Sequence, residues 1–231
     1  MPRIRKFHSL TITLSVCTVG LLAQNYPPPF PRPDSTKVLE NDRVQVWDVT
    51  WPKGQPTAMH EHLYDQISIT LVAGSIKVTR PGGSPTLGKS QFGSVNFVRK
   101  GTVHAEEGMS DVPQHKIMVQ LKPSTSPAVG ARDGLLAAFP REGAVKVLDN
   151  DRAVVWDYTW KPGQWGPRHA DYLDSVTVFL EGGTIRSQRD QGKATEAARK
   201  AGDVVYSSHS QDVYIDEAGS GSPRAIIVEL K

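Results

Sequence analysis

The 231-residue sequence predicts an all-β protein made of two tandem copies of one small barrel-like domain. Three observations lead there. Residues 37–51 and 146–160 share Lys-Val-Leu, Asn-Asp-Arg and Trp-Asp-x-Thr-Trp at an offset of 109 residues. Short stretches of period-2 alternation are separated by Gly and Pro clusters, as in strands joined by turns. No long helical period interrupts them, and many short strands without helices make a sandwich or barrel.

Taken in order, the chain opens with Arg3, Arg5 and Lys6. An uncharged, mostly apolar run of 14 residues follows, from Leu10 to Ala23. A basic start, an apolar middle and a small-residue end are the layout of a secretory signal peptide. The run is shorter than the roughly 20 residues of a membrane-spanning helix. An uncleaved interfacial anchor or a buried first helix is the alternative. Bulky Val16 before Cys17 argues against a lipid-modified cysteine. Cleavage near Ala23 removes the single cysteine and three basic residues, leaving 24 residues of each charge sign. The mature protein then has no disulfide framework, and no electrostatic reason to bind nucleic acid or a membrane. Its expected location is periplasmic or secreted.

A proline-rich lead-in covers 24–36. The first unit is 37–122, the linker 123–145, and the second unit 146–231. The offset does not drift: Gly54 maps to Gly163, His60 to His169, Gly74 to Gly183, Gly93 to Gly202 and Lys122 to Lys231. Internal repetition of this kind is the strongest organising signal in a sequence.

Within each unit, residues 44–51 alternate, with Val44, Val46, Asp48 and Thr50 on one face and Gln45, Trp47, Val49 and Trp51 on the other. Ile67, Ile69 and Leu71, and later Val176, Val178 and Leu180, recur at period 2. Residues 95–98, 116–121, 204–207 and 225–230 are further short β-rich runs. Residues 135–139 and 195–200 read as short helices. Trp47, Trp51, Trp156 and Trp160 recur in both units and are expected in the core or at a domain interface.

The first unit then carries Gly54-x5-His60-x-His62-x3-Gln66-x7-Gly74, followed by Gly93-x5-Arg99-x-Gly101-x2-His104. This frame resembles the two motifs of the cupin superfamily, G-x5-HxH-x3,4-E-x6-G and G-x5-PxG-x2-H-x3-N. Gln66 stands where the family has an acidic ligand, Arg99 where it has proline, and Gly108 where it has asparagine. The resemblance implies a jelly-roll-like double-stranded β-helix barrel in each unit. It also implies one divalent metal held inside the first by His60, His62, Gln66 and His104.

Side chains at i and i+2 of a strand share a face, so His60 and His62 point the same way, and Gln66 joins them if the strand stays regular. Three imidazoles and an amide oxygen suit one divalent transition metal: Zn, Mn, Ni or Fe. Such a set leaves the ion's charge unneutralised, which favours an anionic small-molecule ligand or an acidified bound water. The parity of Ile67, Ile69 and Leu71 is opposite to that of the ligands. Either the register breaks near Asp65, or the cup interior is polar and its outer face is covered. Tyr64 and Glu106 share parity with neighbouring ligands and are candidate catalytic residues. Arg99 is expected on the rim. In the second unit the equivalents are His169, Asp171, Ser175 and Val213, and His209 stands four positions early; that unit is expected to hold no metal.

Two functions stay open, since one barrel serves many chemistries. The first is a metal-dependent enzyme acting on a small organic acid or sugar acid by isomerase, lyase or dioxygenase chemistry; three histidines with glutamine resemble the small uronate-linearising cupins. The second is a non-catalytic module that binds a small ligand. Self-association into a homo-oligomer is compatible with either. N-terminal sequencing of the exported protein should find Gln24 or a close neighbour first; recovery of Met1 on soluble cytoplasmic protein would contradict export.

Overall fold

The computed structural model describes residues 25–123, 134–190 and 192–231. The expected signal segment and much of the expected linker lie outside them. All regular structure among the described residues is β. The strands are β1 (Ser35–Glu40), β2 (Val44–Trp51), β3 (His60–Glu61), β4 (Asp65–Val72), β5 (Gly74–Thr79), β6 (Thr86–Ser90), β7 (Val95–Val98), β8 (Val103–Gly108) and β9 (Gln114–Leu121). They continue as β10 (Leu136–Ala137), β11 (Val145–Asp149), β12 (Ala153–Thr159), β13 (His169–Ala170), β14 (Ser175–Arg189), β15 (Ala194–Arg199), β16 (Val204–Ser207) and β17 (Tyr214–Leu230).

Two segments expected to be helical are strands instead. Residues 136–137 form β10, which pairs in parallel with β13. The Ala-, Glu- and Arg-rich stretch at 195–200 lies mostly in β15, paired along its length with β14 from Gly183↔Arg199 to Gln188↔Ala194. Its composition favours helix by a few tenths of a kcal/mol per residue. An available ladder of backbone partners overrides that preference.

In the first half, a five-stranded sheet ordered β1-β2-β9-β4-β7 faces a four-stranded sheet ordered β3-β8-β5-β6. In the second half, β14 and β17 run unbroken through the positions of β4–β5 and β8–β9, tying the equivalent strands into one curled sheet. The pairing repeats at the sequence offset: Lys37↔Trp47 and Lys146↔Trp156, Val44↔Leu121 and Ala153↔Leu230, Ile67↔Phe97 and Val176↔Tyr206. The Asn-Asp-Arg turns also match. Asn41 Oδ1 accepts from the backbone N–H of Arg43 and Val44 at 2.8 and 3.0 Å, and Asn150 Oδ1 from those of Arg152 and Ala153 at the same distances. Such side-chain-to-backbone bonds fix a tight turn before a strand.

The largest apolar cluster belongs to both halves. Val44, Val46, Ile67, Ile69, Ile117 and Val119 of the first pack with Val155, Val176, Val178, Leu180, Ile226 and Val228 of the second. Each such side chain contributes roughly 1.5–3 kcal/mol on burial. The parity conflict at Ile67 and Ile69 is thereby explained: this face of the sheet points away from the cup and is covered by the other half. Trp47 and Trp51 lie in a separate cluster within the first half, Trp156 and Trp160 in one within the second.

Polar contacts around the shared core are reciprocal. Arg43 reaches Asp174 at 3.3 Å and the Leu230 carbonyl at 3.5 Å, while Arg152 reaches Asp65 at 3.6 Å and the Leu121 carbonyl at 3.4 Å. Arg152 and Asp174 are the counterparts of Arg43 and Asp65, so the halves meet as the partners of a two-fold interface do. Arg99, expected as a rim residue, is exposed and forms a bidentate pair with Asp151 at 2.6 and 3.0 Å. Arg43→Ala should destabilise the protein by about 2 kcal/mol, because it strips a cation from a buried carboxylate. Arg152→Ala, in a more exposed pair, should cost about 1 kcal/mol; urea unfolding midpoints measure both.

Candidate metal centre

The first cup is polar because strand alternation leaves no other place for its residues. With Ile67, Ile69, Ile117 and Val119 on the shared core, the opposite face turns Gln66, Ser68, Thr70, Gln114, Lys116 and Gln120 inward, and all six are buried. Phe30, Trp47, Trp51, Ile76 and Met118 fill the space beside them.

The histidines come from the small sheet. β3 pairs with β8 so that His60 stands directly opposite His104. The ladder is extended past the strand ends: His62 N–H donates to the Thr102 carbonyl at 3.0 Å, and Gly101 N–H to the His62 carbonyl at 2.8 Å. Gly101 has φ +81°, a left-handed conformation that glycine adopts without strain, and it turns the chain into β8 three residues before His104. At Gly74 a side chain is excluded sterically, since an added Cβ would lie 2.9 Å from that of Gln114.

The three side chains converge. His60, His62 and His104 are 3, 2 and 7 % exposed, and each offers a nitrogen within 4.8 Å of the others. His62 Nε2 and His104 Nε2 are 3.0 Å apart, close to the spacing of two nitrogens about 2.1 Å from one ion and at right angles about it. His60 Nδ1 donates to the Ala58 carbonyl at 3.0 Å, which leaves Nε2 as the lone-pair nitrogen. Burial holds all three imidazoles below the ordinary histidine value. At His62 repulsion from His104 and His60 adds to it, and the value falls to about 3. Neutral, desolvated and mutually close imidazoles fit a divalent metal of borderline softness.

Gln66 does not share a strand with His60 and His62. The chain bends at Leu63 and Tyr64, and Gln66 enters from β4 in the facing sheet. Its Oε1 accepts from Gln120 Nε2 at 3.4 Å, and its Nε2 lies 3.8 Å from Met118 Sδ. Glu106 lies near the cluster, with one carboxylate oxygen 3.9 Å from His104 Nε2 and the other accepting from Trp51 Nε1–H at 3.1 Å. Tyr64 is half-buried in the bend.

Sequence reasoning passed over Arg32. Phe30 is stacked on Trp47 at 5.1 Å, and the Arg32 guanidinium lies 4.9 Å from the Trp51 ring, with Nη2 buried and without a partner. Burial pulls its pKa down, opposed by the charges of Glu106 and Asp34. The signal was present as Phe-Pro-Arg at 30–32 and again at 139–141, the same 109-residue offset. Phe139 is stacked on Trp156 at 5.6 Å in the same way.

In the second half, His169 Nδ1 donates to the Pro167 carbonyl at 2.9 Å, as His60 does to Ala58. There the likeness ends, since Asp171 and Val213 replace His62 and His104. His209 is bound to Asp174 at 2.7 Å.

No family model and no curated protein sequence matches the chain. Solved structures do. AerE from Microcystis aeruginosa is similar with TM-score 0.59 and 14 % identity over 90 % of this chain and 99 % of that one. A cupin 2 conserved barrel domain protein from Leptotrichia buccalis gives 0.52 and 14 % over 85 and 88 %. Oxalate decarboxylase from Bacillus subtilis gives 0.57 and 11 % over 85 and 71 %. The fold is therefore a cupin fold.

Chelator-treated protein should lose stability as the pH falls from about 7 to about 4. The unfolded chain's imidazoles take up protons near 6.5, whereas His62 in the fold stays neutral down to about 3, so the unfolded state binds more protons across that window. Thermal unfolding across this range should show a shallower decline for His62→Phe, which has one fewer proton to gain.

Proposed function

We propose that the chain is an exported protein of two tandem cupin barrels whose first barrel holds one divalent transition metal and acts on a small organic acid or sugar acid. The observation that carries the proposal is the convergence of His60, His62 and His104 in a buried polar cup. His60 Nε2, His62 and His104 would hold the ion, with Gln66 as the fourth ligand, its oxygen steadied by Gln120. The two-barrel organisation is supported by pairing that repeats at 109 residues. Export is supported by the basic and apolar leader alone.

When bound, the ion supplies Lewis-acid polarisation of a carboxylate or carbonyl oxygen, or acidifies a water. The chain's own groups do the remainder. Arg32, whose buried Nη2 has no partner, would pair with a carboxylate that reaches it, the charge-assisted bond at which guanidinium is strong. Lys116 is buried on the same face, its ammonium bonded to Ser90 at 3.1 Å, and burial pushes its pKa down. Glu106, fixed by Trp51, is the group placed to accept or return a proton beside His104. Gln114, whose amide is buried without partners, can orient a polar substrate.

Metal analysis by mass spectrometry tests the core of the proposal. Native protein should carry one ion per chain, His62→Ala should lose most of it, and His169→Ala should keep it. Arg32→Met should retain the metal while weakening binding of small carboxylates about tenfold. Two ions per chain, or loss of metal in His169→Ala, would place the site in the wrong half. A metal-free native protein would favour a ligand-binding role without metal chemistry.

A further inference from the structure

The second half encloses a cavity of about 390 Å³, within the size range of small-molecule sites. It occupies the place that the histidines take in the first half, with His169, Asp171 and Ser175 on its wall. Smaller side chains at equal positions contribute to the space: Ser175 stands for Gln66 and Ala225 for Lys116, while Ile227 keeps the bulk of Met118 and Phe179 replaces the smaller Thr70.

Its wall is amphipathic. Phe139, Trp160 and Phe179 supply aromatic surface, and Ser175, Thr177 and Ser207 supply hydroxyl groups. Trp160 is 7 % exposed and its Nε1–H is buried without a partner. Its counterpart Trp51 donates to Glu106, but the residue at the Glu106 position is Ile215. Trp160 lines the cavity, and its orphaned donor, closed off from solvent, costs about 1–3 kcal/mol until a shift of the ring lets an oxygen accept from it.

The charge balance separates this cavity from the first cup. Arg141 is the counterpart of Arg32, yet it donates to Asp216 at 2.6 Å and to the Ala138 carbonyl at 2.8 Å, so its charge is neutralised in place. Arg199 lies over the Phe179 ring at 5.7 Å. Against these two guanidinium groups the wall sets Asp171, Asp216 and Glu229. Burial raises the carboxyl pKa of both Asp171 and Glu229, which favours their neutral, hydrogen-bond-donating form. With Arg141 already paired to Asp216, an added anion finds no buried unpartnered guanidinium nitrogen of the kind Arg32 has. Groups that both donate and accept hydrogen bonds, beside aromatic faces, suit hydroxyl groups on a carbon ring.

We propose that this cavity is a second binding site, selective for a small neutral polyhydroxylated molecule of monosaccharide size. Its ring carbons rest on the Phe139, Trp160 and Phe179 surface, and its hydroxyls accept from Trp160 Nε1–H and bond to Asp171 and Glu229. The site does not depend on metal in the first half.

Isothermal titration calorimetry of the full-length protein tests this with D-glucose, D-galactose, L-rhamnose and myo-inositol as neutral probes, D-galacturonate as the anion and D-glucosamine as the cation. At least one neutral probe should bind saturably with one site per chain. Binding should weaken at least tenfold in Trp160→Phe and Asp171→Asn and vanish in Ser175→Gln, which restores the residue of the first half. It should persist after chelation and in His62→Ala, whereas binding at the first cup should not, so failure of one site is distinguishable from failure of the other. Thermal unfolding checks each variant's fold; if Asp171→Asn does not fold, Trp160→Phe and Ser175→Gln decide. No saturable binding of any neutral probe, tighter binding of galacturonate or glucosamine than of every neutral probe in chelator-treated His62→Ala protein, or unchanged affinity in Trp160→Phe and Ser175→Gln would overturn the proposal.

Discussion

The burial of one sheet face of each half against the other governs the rest of the molecule. A strand has two faces, and in β2, β4 and β9 the aliphatic one is spent on the shared core of Val44, Ile67, Ile69, Ile117 and their counterparts. Whatever remains must line the interior of the cup. The remaining face therefore delivers amides, hydroxyls and an ammonium, and the small sheet adds imidazoles; all are costly to bury unless they find partners. Most are satisfied by one another. Those that are not, such as Arg32 Nη2 and the Gln114 amide, are buried polar atoms left without a counterpart.

Much of this was legible in the sequence. Period-2 runs located several strands, and β7 and β16 match the short β-rich runs read at 95–98 and 204–207. The spacing of His60, His62 and His104 identified a trio that the fold brings together. Gln66 was harder: parity along one regular strand put it beside the histidines, but the chain bends at Leu63 and Tyr64 and delivers it from the opposite sheet. Residues 195–200 misled because Ala, Glu and Arg report a local preference, whereas strand pairing is decided by partners distant in sequence. Arg32 escaped notice because a proline-rich lead-in reads as unstructured, although its Phe-Pro-Arg recurs at 139–141.

The two halves diverge inside their cups and agree where they touch each other. Arg43 and Arg152, Asp65 and Asp174, and the Asn41 and Asn150 turns keep their partners across both. Inside the cups, by contrast, an imidazole becomes a carboxyl at Asp171, a thioether becomes Ile227 and a ligand position becomes Val213. The interface constrains residues on one side of each strand and leaves the other side free to change chemistry. Adjacent positions in β14 thus obey different rules: Val176 and Val178 are held by the core, and Ser175 and Thr177 are not.

The reciprocal meeting of Arg43 with Asp174 and Arg152 with Asp65 has a consequence for how such a protein can specialise. In a dimer of identical chains, any change in the cup appears twice, so losing a ligand empties both sites. Here the two surfaces belong to one polypeptide, and the linker holds them together at an effective concentration that free subunits do not reach. Association is insensitive to dilution, and each cup can change its lining while the other keeps its own. Severed within the linker, either half would expose an aliphatic sheet with a buried-type carboxylate at its border, a surface suited only to its own likeness.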